Sequence, residues 1–404
     1  MRAMCALGVP ALLAAGGAVA APSPDTASDP LKIILMDRYL YDDNLFRVPD
    51  GFFAVNPDLV PPQSLRDYIN RASVGLRVRL DESRQVFHAD IRLDDVRYQR
   101  NDDLNYTGGN ADLMWDWQFA SEWSGKLYGT FDRSQASLAN YTFFGRDIVD
   151  TSVYGLEVRY GFAGRWRLLA AAAAADTNHD ADIRRIENYE ATTGRGGVEY
   201  VLPSGSVFAL EYRVTNADFP VAEDLAGSPQ GYKEQEPAVR VEYVYSEKTK
   251  LTLHVGYLNR DYDNPASGDY SGETWSAAME WEPRSKLKFD IEAWHELKAY
   301  ADAQSDYFVA DGISITPEWE PTTMLKLSAA LSYEKQDYIG NGFVALPDES
   351  SRKDKVKGAL FTLDYTPRDF FSLGLAYRTT DRSSNRDFRA YDDNMASVQV
   401  KFIF

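Results

Sequence analysis

From about residue 66 onward, apolar and polar side chains alternate with period two in segment after segment, the signature of β-strands with one apolar face. Val74, Leu76, Val78 and Leu80 enclose Gly75, Arg77 and Arg79. Leu113, Trp115, Trp117 and Phe119 share a face, as do Tyr154, Leu156, Val158 and Tyr160. The alternation returns over 208–215, 239–245 and 325–332, and again at Phe371, Leu373, Leu375 and Tyr377. One stretch departs from it. "RWRLLAAAAAADTN" (165–178) is rich in Ala, which is depleted in strands. Its place in the series nevertheless makes it a strand of small side chains.

The connections are of two kinds. Short ones fall at 81–84, 122–125, 161–164, 203–206, 246–249, 283–285, 321–323 and 367–369, with a long one between each pair. Successive short turns lie roughly 40 residues apart, the spacing of two strands of about ten or more residues plus one long loop. The hairpin recurs visibly in "EWEPRSKLKF", "EWEPTTMLKL" and "DYTPRDFFSL". A soluble sandwich would have shorter and fewer strands, and propeller blades would carry Gly-His or Trp-Asp signatures that are missing here. Eight short turns pair sixteen strands and one more is needed at each end, so the count is sixteen to eighteen. The expected fold is all-β, a transmembrane antiparallel up-and-down β-barrel over residues 31–404. Tyr160, Tyr200, Tyr245, Trp281, Trp319 and Tyr365 each precede a short turn, as an interfacial aromatic girdle requires.

Composition narrows the setting. The opening "MRAMCALGVPALLAAGGAVAAPSPD" has a basic start, an apolar run and an Ala18-Val19-Ala20 cleavage-type site, so residues 1–20 read as a signal peptide and 21–30 as a periplasmic segment. The only cysteine, Cys5, lies inside that signal, which leaves no thiol for disulfides or metal sites. Later apolar runs are too short for a membrane-spanning helix. The formal charge of −18 disfavours nucleic acid as a partner.

The tetrapeptide "YDDN" occurs at 41–44 and again at 391–394. The last strand, "ASVQVKFIF", places Ala396, Val398, Val400, Phe402 and Phe404 on one face and ends in Phe. That ending resembles the terminal signal through which outer-membrane barrels engage their assembly machinery. With "YDDNLFR" near the start and "YDDN" before the final strand, the chain resembles the beta-barrel porin family that includes EpsL-type proteins of exopolysaccharide loci. The resemblance covers the mature chain. It implies the outer membrane of a Gram-negative bacterium, outer-membrane lipid around the barrel, and an exopolysaccharide as cargo, with periplasmic export components as further partners. In a closed even-stranded barrel the first and last strands are neighbours, which would bring the two tetrapeptides together at the extracellular rim. Asp42, Asp43, Asp392 and Asp393 are then either solvated acids or a cation site of hard oxygen ligands.

The inward faces carry mixed charge: Arg77, Arg79, Arg92, Glu157, Arg159, Glu211, Arg213, Arg240, Glu242, Lys288, Asp290, Lys326 and Arg378. These are the candidate pore-lining residues, either paired across strands or lining a polar path. The loop at 47–66, with two Phe and four Pro, either folds inward as a constriction or stays at the surface. No enzyme is expected, nor any cofactor: His88, His179, His254 and His295 show no ligand spacing, and neither HExxH nor GxSxG occurs. The first functional expectation is a conduit for an exopolysaccharide. The alternatives are a diffusion porin for small hydrophilic solutes and a plugged barrel serving adhesion or assembly.

Overall fold

A computed structural model describes residues 30–404, apart from 56–60, 140–143, 228, 265–267, 303–304 and 340–350. The expected signal peptide and most of the periplasmic segment therefore lie outside the described residues. Eighteen strands follow one another along the chain. They begin with β1 (Leu31–Asp42), β2 (Asp67–Glu82), β3 (Gln85–Tyr98), β4 (Tyr106–Phe119), β5 (Trp123–Gln135) and β6 (Ile148–Ala163). Next come β7 (Trp166–His179), β8 (Tyr189–Val201), β9 (Val207–Asp218), β10 (Tyr232–Ser246), β11 (Thr249–Tyr262) and β12 (Tyr270–Arg284). The series ends with β13 (Leu287–Asp302), β14 (Ser305–Thr322), β15 (Leu325–Ile339), β16 (Lys353–Arg368), β17 (Phe371–Ser384) and β18 (Tyr391–Ile403). Each pairs antiparallel with its sequence neighbour, and β1 also pairs with β18. The result is a closed 18-stranded up-and-down barrel. Among the described residues no helix is long and apolar enough to cross a membrane.

The recurring hairpin sequence has a structural cause. Pro283, Pro321 and Pro367 fall where the ladders shift register, between Trp281 and Arg284, Trp319 and Thr322, and Tyr365 and Arg368. A proline has no N–H for the ladder and is tolerated at such a bulge. The aromatic residue just before it closes the regular pairing and stands in the girdle, where Trp281 lies 5.2 Å from Phe289. Trp123 against Tyr160 at 4.6 Å and Trp166 against Tyr200 at 4.9 Å continue the same ring.

Outward positions are apolar and open to the surroundings, with Leu210 66% and Tyr154 60% exposed. A continuous belt of that kind belongs in lipid. Inward positions carry the charges. The Ala-rich segment is strand β7, fully paired with β6 and β8, because in a closed sheet the ladder on both sides outweighs the weak local preference.

Candidate functional site

All thirteen predicted pore-lining residues fall on the inward side of their strands, out of phase with exposed neighbours such as Leu76, Leu156, Leu210, Val239 and Leu375. Their densest gathering spans β6 to β10. Glu199, only 1% exposed, receives Arg159 at 3.2 Å, Arg167 at 3.0 Å and Arg240 at 2.7 Å. Arg195 joins Glu157 at 2.6 Å and Glu211 at 3.4 Å, and Arg240 also bonds Glu211 at 2.8 Å. Arg240 reaches Glu242 as well.

The small residues of β7 make this possible. In the register, Ala171 stands between Glu157 and Arg195, and the two long side chains meet across it. Sequence reading missed Arg167, Arg195 and Glu199. Arg195 sits in "TGRGG" and Glu199 in "GVEYV", where period two alone was the available signal and glycines obscured it.

Further pairs line the other strands. Arg213 meets Glu236 at 2.7 Å, and Glu236 also accepts from Thr274 at 2.6 Å and lies 3.3 Å from His254 Nε2. His254 is thus a paired lumen residue. Arg77 bonds Asp90 at 2.8 Å, Arg79 Asp81 at 3.1 Å, Arg92 Asp94 at 3.1 Å, Lys288 Asp290 at 3.0 Å and Lys326 Glu318 at 2.9 Å.

One wall has a different balance. Arg38 of β1 is the direct partner of Arg71 of β2, and Arg92 on β3 and Arg378 on β17 add positive charge near it, while Asp94 on β3 attracts it. Arg38 donates to Gln399 at 3.0 Å and Arg71 to the Tyr106 hydroxyl at 3.4 Å. Among the described residues, neither Arg71 nor Arg378 has a carboxylate at ion-pair distance. Arg38, Arg71 and Arg378 thus gather three guanidinium groups on one wall, over β17, β1 and β2.

The two YDDN segments do meet at the seam. Asn394 donates its backbone N–H and its side-chain amide to Asp43 at 2.7 and 2.9 Å, and the Asn44 amide donates to the Asp392 carbonyl at 2.8 Å. Asp42, Asp43 and Asp393 converge, but Asp392 stands apart, turned outward by strand alternation and exposed. The positive charge among the three belongs to Arg47, which bonds Asp42 at 2.9 Å and Asp393 at 3.0 Å. Burial works against its charge, yet Asp42 and Asp393 hold the guanidinium protonated above its ordinary range.

The first long loop follows from this clamp. Arg47 turns the chain with a positive φ of 55°. Leu45, Phe46, Val48 and Phe52 then pack on Val96, Tyr98 and Tyr106, inward-facing residues of β3 and β4. Phe144, from the loop after β5, stacks edge-on against Phe46 at 5.5 Å and Phe53 at 5.2 Å. Its described part thus folds inward over the wall. Across β8 to β10, Phe219 beside α1 (Pro220–Ala226) joins Tyr189 and Tyr232 in a second inward cluster. Both lie at the end of the barrel that carries the long loops.

Residues 49–404 match the family described as "Putative beta-barrel porin 2". Comparison with curated proteins gives no match. Among solved structures the chain is similar to OccAB3 of Acinetobacter baumannii, at 12% identity over 93% of this chain and 99% of that one, with a TM-score of 0.47. It is similar also to OccK2 (OpdF) of Pseudomonas aeruginosa, crystallised in complex with glucuronate, at 11% identity over 93% and 98% with a TM-score of 0.49. A BenF-like porin from Pseudomonas fluorescens Pf-5 aligns at 11% identity over 93% and 98%, with a TM-score of 0.47.

Proposed function

The chain belongs to the "Putative beta-barrel porin 2" family, and from that premise we propose that it is a diffusion porin for small hydrophilic solutes. As a porin of the Gram-negative outer membrane it is a passage and not an enzyme. The observation that carries the finer reading is the closed 18-stranded barrel with charged inward positions around its wall. With strands about 4.8 Å apart and tilted about 40°, eighteen of them enclose a cylinder about 35 Å across at the backbone. Barrels of this size leave room for an aqueous channel.

The expectation of exopolysaccharide export gains no support from the family match, which names no polymer. Inward-folded loops at the extracellular mouth suit small solutes better than a threaded chain. Fixed Arg–Glu pairs on β6 to β10 present hydrogen-bonding groups whose charges are already balanced, so a solute can exchange with water there without being trapped. The Arg38–Arg71 pair concentrates positive charge on one wall of this path. We place the thirteen inward residues in the lining of this path.

Liposome swelling tests the proposal. Proteoliposomes should swell in isotonic pentose, more slowly in disaccharide and not at all in large dextran. Exclusion of every sugar, with a folded barrel confirmed by heat-modifiable gel mobility, would overturn it.

A further inference from the structure

The inward positions of β13 run Lys288, Asp290, Glu292, Trp294, Glu296 and Lys298. An indole among these charges is out of character for a water-facing wall, and its neighbours account for its pose. Its cross-strand partner on β14 is Gly312, where a Cβ would collide with the ring. The indole therefore lies flat against the backbone of β14 and reaches across it to β15. There its N–H donates to Glu334 at 2.9 Å, and Lys298 bonds the same carboxylate at 2.7 Å. Buried Phe308 and Tyr338 pack against it from the side of the long loops. Trp294 itself is only partly buried. The face turned away from Gly312 is an aromatic plate presented to the lumen.

The row beneath the plate is a recess. Ala278, Glu292, Ser314, Ser332 and Gly358 follow one another in register from β12 to β16. All but Glu292 are small, and Ser332 is exposed. Beside the plate on β12 stands Ser276. Among the described residues, the side chains of Glu292, Ser276, Ser314 and Ser332 have no hydrogen-bond or ion-pair partner. The charge nearest Glu292 is that of Asp290, which Lys288 holds at 3.0 Å. Glu296, on the other side of the plate, is within electrostatic reach of Lys298, His254, Glu334 and Glu236. Below, Phe289 stands with Trp281 in the periplasmic girdle. Five residues at about 3.3 Å each, on a strand tilted about 40°, put Trp294 about 13 Å above it, near the middle of the apolar band of about 25 Å. A free carboxylate, free hydroxyls and an open aromatic face thus meet midway along the passage.

We propose that this recess is a binding station for a neutral pyranose sugar; the proposal rests on the reading of the barrel as a porin and names one class of its solutes. A pyranose has an apolar C–H face and a polar rim. The face stacks on the indole, while rim hydroxyls donate to Glu292 and exchange hydrogen bonds with Ser276, Ser314 and Ser332. Bonds to an ionised carboxylate are the stronger kind, so Glu292 fixes the orientation. An organic cation is the other ligand that an aromatic face beside carboxylates attracts. Here Lys298 already takes that place, with its Nζ 5.3 Å from the ring centroid. An open-chain polyol offers the same hydroxyls without the flat face. Contacts this few let the sugar leave as readily as it enters, as conduction requires.

The test is the single-channel current of the full-length barrel in a planar bilayer, titrated separately with methyl glucoside, mannitol and tetramethylammonium ion. Methyl glucoside should reduce the current saturably. Trp294→Ala should raise the half-blocking concentration about tenfold, and Trp294→Phe should keep most of the effect. Glu292→Gln, which retains the shape but loses the charge, should raise it about fivefold. Lys233→Gln, at an exposed outward position of β10, should leave it unchanged. Heat-modifiable mobility confirms folding of each variant. Blockade by mannitol equal to that by methyl glucoside, stronger blockade by tetramethylammonium, or unaffected Trp294→Ala and Glu292→Gln variants would overturn the proposal. Steady current without any effect of methyl glucoside would overturn the sugar station and leave the porin standing. A folded barrel that carries no current would overturn the porin reading itself, and the station with it.

Discussion

Replacing Arg38 and Arg71 together by Gln removes two guanidinium charges from one wall of the lumen and should shift ion selectivity by a calculable amount. Each charge acts on an ion about 10 Å away with about 0.4 kcal/mol in water, so the pair supplies about 0.8 kcal/mol. At 0.1 M salt the Debye length of about 10 Å reduces that to about 0.3 kcal/mol. Anions are then enriched, and cations depleted, by about 1.7-fold each, so the anion-to-cation permeability ratio of R38Q/R71Q should fall about threefold. At 0.01 M, where screening extends about 30 Å, the fall should be about sevenfold. Reversal potentials across a planar bilayer under a salt gradient measure the ratio directly. Lys233→Gln, at an exposed outward position of β10, should leave it unchanged. An unaltered ratio in R38Q/R71Q at low salt, or a shift toward anions, would refute the assignment of this wall to an aqueous path.

Other consequences concern the barrel itself. Phe361→Arg places a charge in the outward band, four residues from the girdle Tyr365, and should cost about 2–4 kcal/mol in urea-driven unfolding into lipid, whereas Lys326→Gln on the inner wall should change it little. Arg47→Ala leaves Asp42 and Asp393, each about 1% exposed, buried without their cation, and should cost about 3–5 kcal/mol; adding Asp42→Asn should recover part of that in the same titration. Cysteines at Leu40 and Ser397, direct partners in the β1–β18 register, should crosslink without perturbing the folded gel band, and a failure to crosslink would place β1 elsewhere than at the seam.

Where the chain repeats, its fold was legible. Pro283, Pro321 and Pro367 mark bulges that the hairpin repeat exposes directly, and eighteen strands follow from counting turns. The meeting of the two YDDN segments followed from closure alone. What sequence could not show was the third dimension of side-chain pairing. Glu199 finds Arg159 and Arg167 through register across β6, β7 and β8, and the alanines between them look like poor strand residues until the crossing side chains are seen. Asp392 was grouped with three acids that strand alternation separates it from. The direction of the first long loop depended on Arg47, whose buried clamp on Asp42 and Asp393 joins residues 346 positions apart; no local pattern announces such a contact.

Conductance of the purified full-length protein in a planar bilayer tests most directly whether the barrel holds an open aqueous path. Stepwise, ohmic insertions whose conductance rises in proportion to bulk electrolyte conductivity, with no added partner, are the expected result. Electrically silent insertion of protein that remains folded by heat-modifiable mobility would contradict it.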